Sequence, residues 1–230
     1  MTWRANGDAL WLPLIAIYNE SRKLVSSEPS LDAEHRLAQK VGGDTIAGVD
    51  EAGRGPWAGP VVAAAVILKP SDFPEGLNDS KKLTEAQRER LFDEIFETSQ
   101  VGIGLTTVTD IDRDNILQAT MAAMSKAVAE LSVPPQAVLI DGNKCPPLPC
   151  PGEPLVNGDA LSLSIAAASI VAKVTRDRLM CELDEAFPEY GWARNKGYGT
   201  AEHRRAIEKF GVTEHHRRSF KPIRMALQSA

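Results

Sequence analysis

Three carboxylates in this chain directly follow apolar runs, and a fourth lies just ahead of one. Asp50 and Glu51 follow Thr45 to Val49 (TIAGV), and Asp141 follows Ala137 to Ile140 (AVLI). Asp159 follows Asn157-Gly158, just ahead of an alanine-rich stretch. Charged residues at the ends of buried strands face the crevice where open α/β sheets bind ligands. Carboxylates gathered there repel one another and persist only if protonated or neutralised by cations. Oxygen ligands of this kind suit Mg2+ or Mn2+. Two such ions, roughly 3.5–4 Å apart, clamp the attacking and leaving oxygens of a phosphodiester. Spacing alone leaves a blander alternative open: each acid is a turn residue or a solvated end-cap, since Asp favours turns.

Other residues fit phosphodiester chemistry. Gly53-Arg54-Gly55 comes directly after the first acid pair, and glycines let backbone groups approach a sugar closely; the alternative is a plain hairpin turn. Asp79-Ser80-Lys81-Lys82 sets a hydroxyl and two ammonium groups just before a helix, a reasonable anion site. Lys173 and Arg176 on the alanine-rich stretch are expected to add to it. From Gly191 to Ala230 the chain carries nine Lys and Arg against three Glu, about +6, although the whole chain is −5. That asymmetry is the footprint of a duplex-binding face. His203, His215 and His216 are expected to add charge below neutrality.

The elements that must position these groups follow from periodicity. Thr45 to Val49 and Val61 to Leu68 (VVAAAVIL) read as two strands joined by the Gly- and Pro-rich turn GRGPWAGP. Thr84 to Glu97 opens with Thr84…Gln87 spaced as a capping box and reads as a helix. Val101 to Thr109 and Ala137 to Ile140 are further strands; Ile111 to Leu131, Ser162 to Phe187 and Ala201 to Phe210 are helices. Hairpin strands followed by alternating strands and helices predict an α/β domain with a mixed sheet. Residues 1–43 read as an N-terminal extension with a helical piece from Ser30 to Lys40, 44–190 as the catalytic domain and 191–230 as a basic substrate-binding segment.

The bulk numbers agree. With 230 residues, 43% apolar and 25% charged, the composition is that of a globular protein. Cys145, Cys150 and Cys181 are too few and too scattered for a disulfide framework or a zinc site, and fit a reducing cytoplasm. No apolar run reaches the roughly 18–20 residues of a membrane span. The run Leu10 to Tyr18 holds Pro13 and lacks a small-residue cleavage site, so it is not read as a secretory signal. No heptad or spare apolar stripe points to an oligomer, and a monomer is expected.

Seven blocks resemble ribonuclease HII, in the family's order. They are GVDEAGRGPWAGPVVAAAVIL, LNDSKKL, IDRDNILQATMAAM, VLIDGNKCP, AAASIVAKVTRDRLM, NKGYGT and TEHHRRSF. The resemblance spans about residues 44 to 225. It implies a ribonuclease H-like fold and four catalytic, metal-holding acids, which here are Asp50, Glu51, Asp141 and Asp159. It assigns Gly53-Arg54-Gly55 to the 2′-hydroxyl that separates RNA from DNA, and Tyr198 to the sugar beside the cut. The implied activity is two-metal hydrolysis of RNA in RNA–DNA hybrids, and nicking of DNA duplexes 5′ to embedded ribonucleotides, leaving 5′-phosphate and 3′-hydroxyl ends. One departure stands out: the family usually has Lys-Gly-Asp at the last acid, where this chain has Asn157-Gly158-Asp159. Two other readings stay open, a different two-metal nuclease of the same fold and a hybrid-binding protein without catalysis.

Overall fold

The computed structural model describes residues 28–229; the Leu10 to Tyr18 run lies outside them. Five strands form one mixed sheet: β1 (Ile46–Ala52), β2 (Val61–Ile67), β3 (Gln100–Thr106), β4 (Ala137–Asp141) and β5 (Gly152–Leu155), in the order β3-β2-β1-β4-β5. β1 pairs antiparallel with β2 and parallel with β4, so it lies at the centre. The helices are α1 (Asp32–Val41), α2 (Glu85–Thr98), α3 (Val108–Ala129), α4 (Leu163–Ala186), α5 (Trp192–Asn195), α6 (Ala201–Phe210) and α7 (Lys221–Ser229). The mixed α/β architecture read from the sequence is the one observed.

Strand alternation assigns the layers. Ala47 and Val49 of β1, with Val61, Ala63 and Ala65 of β2, bury against Ala119, Ala123 and Met124 of α3. The intervening Ala64 and Val66 bury against Ala167, Ala168 and Val171 of α4 and Leu91 and Ile95 of α2. Asp50 has the parity of Gly48 and faces the α4 side; Glu51 has that of Val49 and faces the α3 side. Runs of alanine on β2 and α4 let the two backbones approach. Gly48 brings β1 against α4 as well: a Cβ there would lie 2.2 Å from the Ser164 carbonyl carbon and 2.3 Å from the Ile165 nitrogen.

Several boundaries differ from the sequence reading, each for a physical reason. β1 does not stop at Val49. Its ladder with β2 runs on through Asp50↔Ala64, Glu51↔Ala63 and Ala52↔Val62, so the first acid pair sits inside a strand. β3 ends at Thr106, because Thr107 starts α3 by accepting from the Asp110 amide in a capping box. α3 is broken at Asn115 (φ 69°, ψ 163°), whose Oδ1 accepts from the Leu117 and Gln118 amides and so starts the helix afresh. β5 was missed, as Pro151, Gly152 and Pro154 read as loop; Pro is tolerated because this is an edge strand. The capping box at Thr84 is present as expected. α1, within the 1–43 stretch, buries Ala33 and Leu37 against Ile46, Leu139 and Ile165.

The last 40 residues wrap the turn between β1 and β2. Trp57 donates its amide to the Gly197 carbonyl and accepts from the Arg217 amide, both at 2.8 Å. Ala58 is buried with Met180, Tyr190, Trp192, Ile207 and Ile223. Inside this cluster His203 and His216 are fully buried with their Nε2 atoms 3.0 Å apart. Thr213 donates its amide to His216 Nδ1 (3.0 Å), and Trp192 donates to His203 Nε2 (3.2 Å). Those donors assign the tautomers: His216 carries its proton on Nε2 and gives it to His203, and His203 donates from Nδ1 to the Tyr198 carbonyl at 3.0 Å. The sequence expectation that these two histidines add charge below neutrality is therefore overturned. Burial pushes His203 down, and takes His216 to about 3, with the charges of His203 and His215 adding to burial.

Two predictions follow from this packing. Gly48→Ala is expected to force β1 from α4 and cost about 1–3 kcal/mol, read from urea denaturation; unchanged stability would mean that the two backbones have room to part. The second concerns acid. An unfolded histidine binds a proton below about pH 6.5, and buried His216 resists it down to about 3. Stability is therefore full above pH 6.5 and falls as pH drops through that window, by about 1.4 kcal/mol per unit for one group. His216→Gln is expected to be less stable at pH 7 but to show a shallower loss between pH 6.5 and 5; parallel slopes would exclude His216 as the source.

Candidate active site

Asp50 is the most enclosed of the four acids, at 5% exposure on the central strand. Its Oδ1 accepts from the Glu51 amide at 2.7 Å. Burial raises its pKa well above the usual carboxylate range, and the neighbouring charges of Glu51, Asp141 and Asp159 raise it further. Glu51 is raised chiefly by burial, against an opposing ion pair with Arg54 at 3.0 Å. Asp141, the last residue of β4, is raised by burial and by Asp159, while the Gly158 amide donates to its Oδ1 at 2.7 Å and lowers it. Asp159, 6% exposed on a short 3-10 turn, pairs with the Lys81 ammonium at 3.0 Å. The four acids are thus brought to one end of the sheet, near enough for Asp50 to feel the other three.

Positive charge in the cluster comes from two side chains. Partial burial opposes the Lys81 ammonium, yet its hydrogen bond to Asp159 and the charges of Asp159, Asp79 and Asp50 hold its pKa above the ordinary value. Asn157, at the start of the turn that carries Asp159, takes the left-handed conformation (φ 56°), which Asn tolerates better than most residues. Lys81, 76 residues upstream, is the side chain that supplies a cation to Asp159 here.

Three of the acids, Asp50, Glu51 and Asp141, line a cleft of about 340 Å³; Asp159 lies behind it, joined to the cleft residue Lys81. Gly53, Arg54 and Gly55 form one wall, Ser80, Lys81 and Lys173 another, and Tyr198 stands at the mouth, 48% exposed. A Cβ on Gly55 would lie 3.5 Å from the Tyr198 ring, so turn and ring face each other across the space where Gly55 has no side chain. Ser80 is buried and its amide donates to Ser169 Oγ at 3.3 Å. Lys173 pairs with Asp177 at 2.8 Å on the helix below. A second cleft of about 290 Å³ continues past Glu51, Arg54 and Asp141 to Met121 and Asn143. Sequence reasoning passed over Ser169. The signal was available, since Ser169 and Lys173 are four residues apart and share a face of α4.

Three expected site residues lie elsewhere or do other work. Lys82 is exposed and is not among the residues lining the cleft. Arg176 lines the cleft, but its guanidinium is turned to backbone: Nε donates to the Pro60 carbonyl, Nη1 to Lys196 and Nη2 to Ala58, at 2.9–3.1 Å. Arg217, counted as part of the basic face, is fully buried, and its guanidinium binds the carbonyls of Gly53 (2.5 Å), Arg54 (2.9 Å), Gly59 (2.8 Å) and Pro60 (3.2 Å). Burial lowers Arg176 to about 10 and Arg217 to about 9, the latter also through the charge of Arg176; both stay charged at neutral pH. The two arginines fix the turn that carries Gly53-Arg54-Gly55.

Carboxylate oxygens with raised pKa values, gathered at a cleft, suit a hard divalent cation in chemistry and charge. Among the described residues no three His, Cys, Asp or Glu side chains already stand close enough to hold one ion. Lys81 and Arg54 are the groups that now balance them.

This arrangement has known counterparts. The family model described as Ribonuclease HII matches residues 47–223. The chain is 58% identical over 186 residues to a ribonuclease HII of Magnetococcus marinus, covering 80% of this chain and 87% of that one. It is 56% identical over 202 residues to one of Ruegeria pomeroyi, covering 87% and 86%. The crystal structure of the ribonuclease H2 of Pyrococcus horikoshii superposes with a TM-score of 0.68 at 28% identity, covering 80% of this chain and 97% of that one. A central strand carrying a buried Asp beside a half-buried Glu, a turn clamped by two buried arginines and a match along nearly the whole described chain lead to one conclusion: the chain belongs to the ribonuclease HII family and is a ribonuclease H, an endonuclease acting on the RNA of RNA–DNA hybrids.

Proposed function

We propose that this enzyme also nicks DNA duplexes on the 5′ side of a single embedded ribonucleotide, by two-metal hydrolysis at Asp50, Glu51, Asp141 and Asp159. The observation that carries the reading is the shared cleft, in which three of the acids stand beside Gly53-Arg54-Gly55 and Tyr198. A site that must find one ribose in a DNA strand needs its sugar-reading groups next to its chemistry.

Asp50 with Asp141 would hold one Mg2+ or Mn2+, and Glu51 with Asp159 the other. When bound, such ions neutralise the carboxylates and stabilise the charge that builds up on the phosphate oxygens. The rest falls to the chain. The turn 53–55, held rigid by Arg176 and Arg217, offers its backbone to the 2′-hydroxyl, and the Tyr198 ring packs against the sugar. Ser80, Lys81 and Lys173 bind flanking phosphates, and the exposed cations of residues 191–230 bind the duplex farther out. Water attacks phosphorus in line, the P–O3′ bond breaks, and the leaving oxygen takes up a proton to give 5′-phosphate and 3′-hydroxyl ends. The three unpaired cysteines support a cytoplasmic setting, and among the described residues no helix is long and apolar enough to cross a membrane.

The test is cleavage of a labelled DNA duplex with one ribonucleotide, in Mg2+, Mn2+ and chelator, beside an all-DNA control. Nicking 5′ to the ribonucleotide is expected with either metal, and none with chelator, in the control or for Asp50→Asn. Tyr198→Ala is expected to lower kcat/KM by about ten- to hundredfold, or ~1.4–2.7 kcal/mol of transition-state stabilisation. Cutting of continuous hybrids but not of the single ribonucleotide would overturn the roles given to the turn and Tyr198. Tight binding without cutting would overturn the catalytic reading.

A further inference from the structure

We infer that Glu34, on the helix ahead of the sheet, is a positioning residue for the active site: it clamps the start of α4 and thereby sets Asp159 against Asp50. Glu34 is a buried carboxylate, 7% exposed. Its Oε1 alone accepts three hydrogen bonds, from Ser162 Oγ (2.6 Å), the Ser164 amide (2.8 Å) and Ser164 Oγ (2.6 Å), across about 130 residues of sequence. Burying a carboxylate is costly; charge-assisted bonds and the positive end of α4 offset it.

Those partners are not generic. Ser162 caps α4 by accepting from the Ile165 amide at 3.1 Å, and its own amide donates at 2.8 Å to the Gly158 carbonyl, in the turn that carries Asp159. Ser164 is the residue against which Gly48 packs, two positions before Asp50. Backbone bonds complete the clamp: the Ser30 amide to the Leu161 carbonyl (3.2 Å) and the Leu163 amide to the Ser30 carbonyl (3.1 Å). One carboxylate therefore holds, through two serines, both the turn bearing Asp159 and the contact that seats β1.

The inference rests on the reading of Asp159 as a metal-holding acid, and the experiment separates the two. Mn2+ binding is measured by calorimetry without substrate, and kcat and KM on the single-ribonucleotide duplex, at a temperature where every variant is folded. Glu34→Ala is expected to weaken Mn2+ binding and lower kcat, each by about ten- to hundredfold, with KM nearly unchanged. Glu34→Gln keeps an acceptor at Oε1; Oε2 has no hydrogen-bond partner among the described residues, so this variant is expected to recover most of both. Ser164→Ala, a milder cut in the same clamp, is expected to fall between and answers the question if Glu34→Ala does not fold. A lower melting temperature for Glu34→Ala or Ser164→Ala with Mn2+ affinity and kcat intact would overturn the inference and leave Glu34 a plain cap. Intact Mn2+ affinity in Asp159→Asn would instead overturn the reading of Asp159.

Discussion

A carboxylate buried in the middle strand of a sheet is the constraint around which this protein is arranged. Asp50 has little water around it and three other acids within electrostatic reach. A low-dielectric setting magnifies both the desolvation cost and the repulsion. A fold selected for stability alone would place valine there, as it does at the neighbouring Val49. Keeping Asp50 costs stability, and the return is a group that favours neutralisation by a cation over exposure to solvent. β1 can carry it because β2 and β4 satisfy its backbone on both edges and helices cover both faces.

The cationic side chains divide into two sets. Arg54 and Lys81 pair with the acids and stay partly exposed, so they are free to yield to other charges. Arg176 and Arg217 are buried beneath the turn and donate their hydrogen bonds to backbone carbonyls. A guanidinium suits this task because its planar fork donates to several carbonyls at once. The result is a glycine-rich loop tied to the fold at several of its carbonyls. Gly53 (φ 96°) could not be another residue there, since a Cβ would lie 2.0 Å from Arg176 Nε. Rigidity in the turn is what allows backbone groups to serve in recognition.

The C-terminal segment works by the same logic. Its aromatic cluster buries two neutral histidines whose hydrogen bonds run from Thr213 to the Tyr198 carbonyl. The backbone of Tyr198, whose ring stands at the mouth of the cleft, is thus held by this row of hydrogen bonds. Charge at either histidine would disrupt the row, so burial keeps both neutral.

The sequence by itself determined a good deal. Continuous apolar runs marked four of the five strands and period-3.6 patterns the long helices, because burial leaves a direct imprint on residue order. Strand ends marked the acids, since an Asp or Glu at the edge of an apolar run is conspicuous. Tertiary structure decided the rest. β5 carries prolines and little apolar surface, so only pairing with β4 makes it a strand. Ladder pairing with β2 drew Asp50 and Glu51 inside β1. Whether a given arginine faces phosphate or a buried carbonyl depends on which chain segments cross above it, and local sequence carries no trace of that. The same holds for Lys81 beside Asp159 and Glu34 beside Ser164: contacts between residues 78 and 130 positions apart are set by packing, and periodicity reports only the neighbours a residue has on its own element.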